Sequence, residues 1–302
     1  MPNIYQNIDA NKRDTVVIMA IFIVVVSFIG WFVGNVFFGD SGWGFVGFAL
    51  IVAGISSFFS YYSSDKIVLT ISGAKEVPRE TNEDLYNLVE NVCIAAGLPM
   101  PKIYVIDDSA MNAFATGRDP SHAVICFTTG IIDGRLEKRE LEGVIAHELS
   151  HVGNYDIRLM SIVSVLVGSI TLLSDWFTRG FFYGGGRRRR NGNSEVGGLI
   201  FVMGIVLVIL SPIIAALIKL AISRHREYLA DATGALITRY PKGLSNALRK
   251  LADDREILEA ANGATAHLYI TNPLKSDLGG FISNLFSTHP PIEERIKRLE
   301  NM

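Results

Sequence analysis

The sequence predicts a mainly α membrane protein: transmembrane helices joined to a polar domain that holds a small β-sheet. Three observations carry this reading. Hydrophobic residues fill 49% of the 302 positions and the mean hydropathy is +0.30, above an ordinary soluble enzyme. Four apolar runs are long enough to cross a bilayer as helices. The polar stretches combine helical periodicity with two short runs rich in β-branched and aromatic residues.

The four runs are Thr15 to Phe38, Trp43 to Tyr62, Leu159 to Phe177 and Leu199 to Ile222. The first two carry no charge; the third holds only Asp175 and the fourth only Lys219. Each approaches or exceeds the roughly 20 residues that span about 30 Å of hydrocarbon. Gly39 to Gly42 leaves room only for a tight hairpin between the first two. Trp31, Trp43, Tyr61 and Tyr62 fall near run ends, where amphipathic rings favour the headgroup region. Buried core helices of a soluble protein are the alternative, and two adjacent charge-free runs fit it poorly. The stretch after Arg13 is too long for a signal peptide, and no small-residue cleavage site follows it.

Lys12 and Arg13 precede the first run, the hairpin turn has no basic residue, and the polar domain after Tyr62 has many. The N-terminus and that domain are therefore expected on the cytoplasmic side of the cell (inner) membrane, in a multi-pass chain. Arg179 and Arg187–Arg190 lie between the third and fourth runs and conflict with that rule if both cross. Either this loop tolerates the violation or the pair forms a re-entrant hairpin; the run lengths favour crossing.

The chain thus divides into a hairpin over 1–62, a first polar part over 63–158, a second hydrophobic pair over 159–222 and a second polar part over 223–302. Residues Glu83 to Ala96 have helical spacing, while Pro101 to Asp107 and Ala123 to Phe127 read as strands. The second polar part reads as mostly helical, its last helix entered through Pro290-Pro291. Gly184–Gly186 and the arginine tract read as a low-complexity loop. Cys93 and Cys126 match no metal-ligand spacing and read as reduced core residues. A net charge of −2 gives no reason to expect nucleic acid as a partner.

The chemistry is concentrated in His147-Glu148-Leu149-Ser150-His151, at the end of a segment patterned as an amphipathic helix. Residues four apart share a helix face, so His147 and His151 can offer two imidazole nitrogens to one ion, and Glu148 flanks that face as general base toward a metal-bound water. Catalytic zinc needs a third protein ligand. A downstream histidine at metzincin spacing is absent, since Ile157 occupies that position. The other source is a glutamate on a second helix. Ser223-Arg224-His225-Arg226-Glu227-Tyr228-Leu229-Ala230-Asp231 supplies Glu227, with Asp231 one turn on to accept a ring N–H from a ligand histidine. His225 is the rival ligand, although two residues from Glu227 it faces elsewhere.

These two motifs occur in order with Asn112-Ala113-Phe114-Ala115-Thr116-Gly117 and Ser287-Thr288-His289-Pro290-Pro291, among four hydrophobic segments. The chain in this respect resembles the HtpX-type membrane zinc metalloproteases, a family allied to the CAAX prenyl endopeptidases. The resemblance implies a gluzincin-like α+β zinc metalloprotease domain. It also implies one Zn2+ per subunit, polypeptide substrates, and a role in degrading misfolded membrane proteins. It agrees with His147, His151 and Glu227 as ligands and Glu148 as catalyst. Asn112, Ala113 and Phe114 could lie on a strand edge that pairs with extended substrate, or in a turn closing the sheet. His289 could donate to the oxyanion or shape the turn before the last helix.

Two rivals fit less well. A site-2 type intramembrane protease would bury its motif in an apolar span, whereas Glu137 to Glu142 charge this helix heavily, and no Asp-Gly motif in another span supplies a third ligand. A membrane scaffold with a structural zinc would have no use for Glu148.

Overall fold

The computed structural model describes residues 4–38, 42–169, 223–262, 264–271, 273 and 290–302. Most of the second hydrophobic pair, the Gly184–Arg190 tract and His289 lie outside them, and with them the question of crossing or re-entry.

Two long helices, α1 (Ile4–Phe38) and α2 (Gly42–Ile71), form the expected hairpin. Each overshoots its apolar run, α1 beginning well before Thr15 and α2 continuing past Tyr62. Both are long and apolar enough to cross a membrane. Their outward faces favour a lipid setting. Val24, Trp43, Phe48 and Phe58 are 60–76% exposed, which a water-soluble helix pair would bury. The inward faces pack Ile18, Phe22 and Ala53 against Leu159, Ile162, Val163 and Leu166, residues of a helix running from 156 to 169 where described.

The polar domain centres on a four-stranded sheet of β1 (Lys75–Glu76), β2 (Lys102–Ile106), β3 (Ala113–Gly117) and β4 (Ala123–Thr128), in the order β1-β2-β4-β3. β2 runs parallel to β4, and β1 and β3 run antiparallel to their neighbours. Ile103, Ile125 and Phe127 project into a core shared with Val89, Val144 and Leu149. Alternate residues Phe114, Val124 and Cys126 meet Met160, Leu268 and Tyr269 on the other face. Both faces are covered, which explains why β4 reads as an unbroken apolar run. Cys93 and Cys126 are buried free thiols, as expected.

Helix α3 (Glu83–Ala96) has the expected limits: the Asn82 side chain accepts the Leu85 N–H at 3.1 Å, and Gly97 ends the helix at φ +67°. A single turn, α4 (Thr129–Ile132), follows β4. Helix α5 (Lys138–Gly153) starts where Glu140 accepts the Glu137 N–H at 2.7 Å. Helices α6 (Arg224–Thr238), α7 (Pro241–Asp253) and α8 (Ile292–Glu300) complete the described fold, the last preceded by Pro290-Pro291. Two glycines let α5 sit close to its neighbours. A Cβ on Gly143 would lie 2.6 Å from the Leu244 backbone of α7, and one on Gly234 of α6 would lie 3.1 Å from the His147 backbone nitrogen.

Candidate metal centre and active site

The tight α5–α6 contact at Gly234 decides the site. It brings the His147/His151 face of one helix onto the Glu227/Asp231 face of the other, and all five residues including Glu148 are at most 4% exposed. His147 Nε2 lies 3.2 Å from His151 Nε2 and 3.8 Å from Glu227 Oε2, and His151 Nε2 lies 3.5 Å from Glu227 Oε1. Zinc bonds of about 2.0–2.2 Å at tetrahedral angles would set donor atoms roughly 3.3–3.6 Å apart. These three residues form the metal-capable His/Cys/Asp/Glu group found among the described residues. In separation and in chemistry, two imidazoles and a carboxylate, the donors fit zinc.

Both rings are oriented from behind. His147 Nδ1 is 3.0 Å from Asp231 Oδ1, and His151 Nδ1 is 2.9 Å from Asp156 Oδ2. A proton on each Nδ1 leaves each Nε2 lone pair directed at the centre. Burial pushes the His147 ring towards its neutral form, which Asp231 opposes and Arg295 favours. Burial acts the same way on His151, but the Asp156 hydrogen bond and the Glu227 carboxylate outweigh it and lift the ring to about 9. The centre is thus rich enough in negative charge to hold a cation. Glu148 sits beside it, its carboxyl pushed up to about 7 by burial, with the Glu227 charge adding and the His151 ring and an Ala115 N–H opposing.

Two residues that sequence reasoning missed complete the site. Arg295 of α8, 1% exposed, grips Asp231 through Nε at 2.9 Å and Nη2 at 2.7 Å, and its Nη1 lies 3.5 Å from Glu227 Oε2. With Asp231 and Glu227 beside it, the guanidinium is held in its charged form despite burial; the Asp231 carboxyl, which burial alone would raise, is drawn down to about 2 by Arg295 and His147. Asp156 is the other. Its Oδ1 accepts from Asn11 Nδ2 at 2.7 Å, and Arg226 Nη1 donates to Asn11 Oδ1 at 2.8 Å. A hydrogen-bond line therefore runs from α1, the first candidate span, to a candidate metal ligand.

Asn112, Ala113 and Phe114 do lie on or beside the outer edge strand, β3, but that edge is already in use. The Ile270 N–H donates to the Ala113 carbonyl at 3.0 Å, Asn112 Nδ2 donates to the Thr271 carbonyl at 3.2 Å, and Arg295 Nη1 holds the Ile270 carbonyl at 3.0 Å. The Phe114 ring points into the far core, 5.0 Å from Tyr269. His225 is exposed on the far side of α6.

Peptidase family M48 matches residues 79–302. Proteins named as protease HtpX homologs are similar throughout. That of Dictyoglomus turgidum is 44% identical over 99% of this chain and 94% of its own length. Those of Tropheryma whipplei (strain Twist) and Ligilactobacillus salivarius are 45% and 41% identical over 99% of this chain, covering 98% and 100% of their own lengths. The crystal structure of S. mikatae Ste24p superposes with a TM-score of 0.52 at 20% identity, over 94% of this chain and 62% of that one, and shows a shared fold. With a buried His147, Glu148, His151 and Glu227 constellation on a domain that follows two candidate spans, the chain belongs to peptidase family M48 as a membrane-associated metalloprotease of the HtpX type.

Proposed function

We propose that His147, His151 and Glu227 hold one zinc ion, and that with Glu148 they cleave peptide bonds of misfolded or damaged membrane proteins from the cytoplasmic side of the cell membrane. The observation that carries this reading is the close approach of three buried donor groups from two helices, with the buried Glu148 carboxyl beside them as a fourth group that no ligand set requires. Zinc bound there supplies a Lewis-acid charge that acidifies water and polarises a carbonyl. Glu148 accepts the proton of the attacking water and returns it to the amine nitrogen as the peptide bond breaks. Asp231 and Asp156 keep the ligand rings in one tautomer, and Arg295 fixes Asp231.

A substrate strand on the outer edge of β3 would take the place of Ile270, with its N–H on the Ala113 carbonyl and a carbonyl on Arg295. Ile270→Pro removes the competing N–H and should raise cleavage of an unstructured peptide severalfold; an unchanged rate would mean that this edge is not the substrate's place. The polar backing of the ligands is tested separately. Asp231→Asn and Asp156→Asn should each weaken zinc binding by about 10–100-fold in a chelator competition. Affinity unaltered in both would remove the carboxylates from the site's function.

The orientation follows the basic residues around the first two runs. A cysteine introduced at Glu80, which is exposed, should resist a membrane-impermeant thiol reagent in intact cells and react after lysis. Labelling in intact cells would invert the topology.

A further inference from the structure

An open cavity of about 480 Å³, separate from the metal centre, is lined by Lys12, Asp119, His122, Tyr155 and Arg158 among others. Its depth relative to the bilayer can be read from the helices around it. On α1 the exposed apolar face begins at Val16, 61% exposed, and on α2 it ends at Tyr62, 50% exposed, before Asp65 and Lys66. Lys12 is four residues before Val16, about 6 Å along the helix axis. Arg158 immediately precedes the apolar run that opens with Leu159. The cavity therefore lies one helical turn outside the hydrocarbon, at the depth of lipid phosphates.

Its charges are arranged for an anion. The Lys12 ammonium stands 4.5 Å from the centre of the Tyr155 ring and the Arg158 guanidinium 5.0 Å from the same ring, with Arg158 also 5.5 Å from Tyr61. The lining carboxylate, Asp119, is engaged by His122 at 2.7 Å and Arg118 at 3.5 Å. Among the described residues, neither Lys12 nor Arg158 has a carboxylate within ion-pair distance. Tyr155, which gathers the two cations, is placed by the end of α5: it follows the Asn154 cap in the left-handed region at φ +62°, with its N–H on the Val152 carbonyl at 3.2 Å.

We infer that this cavity binds the phosphodiester headgroup of an anionic membrane lipid, with Lys12 and Arg158 as its cationic partners and Tyr155 as their platform. A phosphate oxygen set between two cations at this depth gains charge-assisted hydrogen bonds where water is partly excluded. The depth favours a lipid over free phosphate, because a lipid in the adjoining leaflet presents its headgroup there. The bound lipid would bridge α1 to the turn between α5 and the 156–169 helix, the same turn from which Asp156 reaches His151.

The test uses the full chain purified in a neutral detergent, with lipid binding counted by native mass spectrometry. Phosphatidylglycerol should bind, and Lys12→Gln with Arg158→Gln should weaken it by about fivefold per cation, equivalent to about 1 kcal/mol each. Lys12→Arg should retain it. Lys12 is exposed, so Lys12→Gln alone should fold and show its own fivefold loss if the double variant does not. Phosphatidylcholine should bind more weakly, and millimolar inorganic phosphate should fail to displace phosphatidylglycerol. Undiminished phosphatidylglycerol binding by Lys12→Gln and the double variant would overturn the site. So would displacement by inorganic phosphate, which would make it a small-anion site.

Discussion

Glu148→Gln is expected to leave the chain folded and metal-bound while reducing proteolysis by about 10²–10⁴-fold, the usual contribution of a positioned acid–base group. Glutamine keeps the shape of Glu148 but cannot accept the water proton. The three donors around it are unchanged, and the Glu227 carboxylate loses a neighbouring acid. Metal content measured beside casein cleavage separates the roles. Near-native cleavage by the variant would remove Glu148 from the mechanism.

Glu227→Ala should have the largest effect on the metal itself, beyond the about 10–100-fold expected of Asp231→Asn. It deletes one of three donors and strips Arg295 of a carboxylate 3.5 Å away. Because alanine also leaves a void and no oxygen facing the buried Arg295, Glu227→Gln, equally neutral but of native shape, is the companion variant. It keeps an oxygen in place and should retain the fold while still binding zinc more weakly than the native chain. If both variants bind zinc as tightly as native, the third ligand lies elsewhere and the exposed His225 becomes the first candidate.

What could be read from the sequence was what sequence spacing encodes. His147 and His151, and Glu227 and Asp231, are pairs four apart on helices, so their shared faces follow from helix geometry before any packing is known. The hairpin, α3 and the strands β2 and β4 were legible for the same reason, each to within a residue or two except where α1 and α2 continue into polar sequence. Arg295 was not legible. It contacts Asp231 across 64 residues, within Ile-Glu-Glu-Arg-Ile-Lys-Arg-Leu-Glu, where its neighbours look like a solvated helix face. Only the apolar register of Ile292, Ile296 and Leu299 hints that the intervening position turns inward. Asp156 and Asn11 were hidden likewise, because their meeting depends on how α1 docks beside the α5 turn. β3 is built of alanine, phenylalanine, threonine and glycine, weak strand formers in part, and its identity comes from pairing with β4. Its occupation by Ile270 is a long-range contact that no local pattern announces.

The central claim is that peptide hydrolysis depends on one zinc held by His147, His151 and Glu227. The most direct measurement titrates zinc into the chelator-stripped, full-length protein in neutral detergent, following bound metal and casein cleavage in the same samples. Cleavage should be absent from the stripped protein, rise in proportion to bound zinc, and level off at one ion per chain, with His147→Ala and His151→Ala failing to recover at that zinc concentration. Full cleavage by metal-free protein, or recovery of either histidine variant at native zinc stoichiometry, would contradict it.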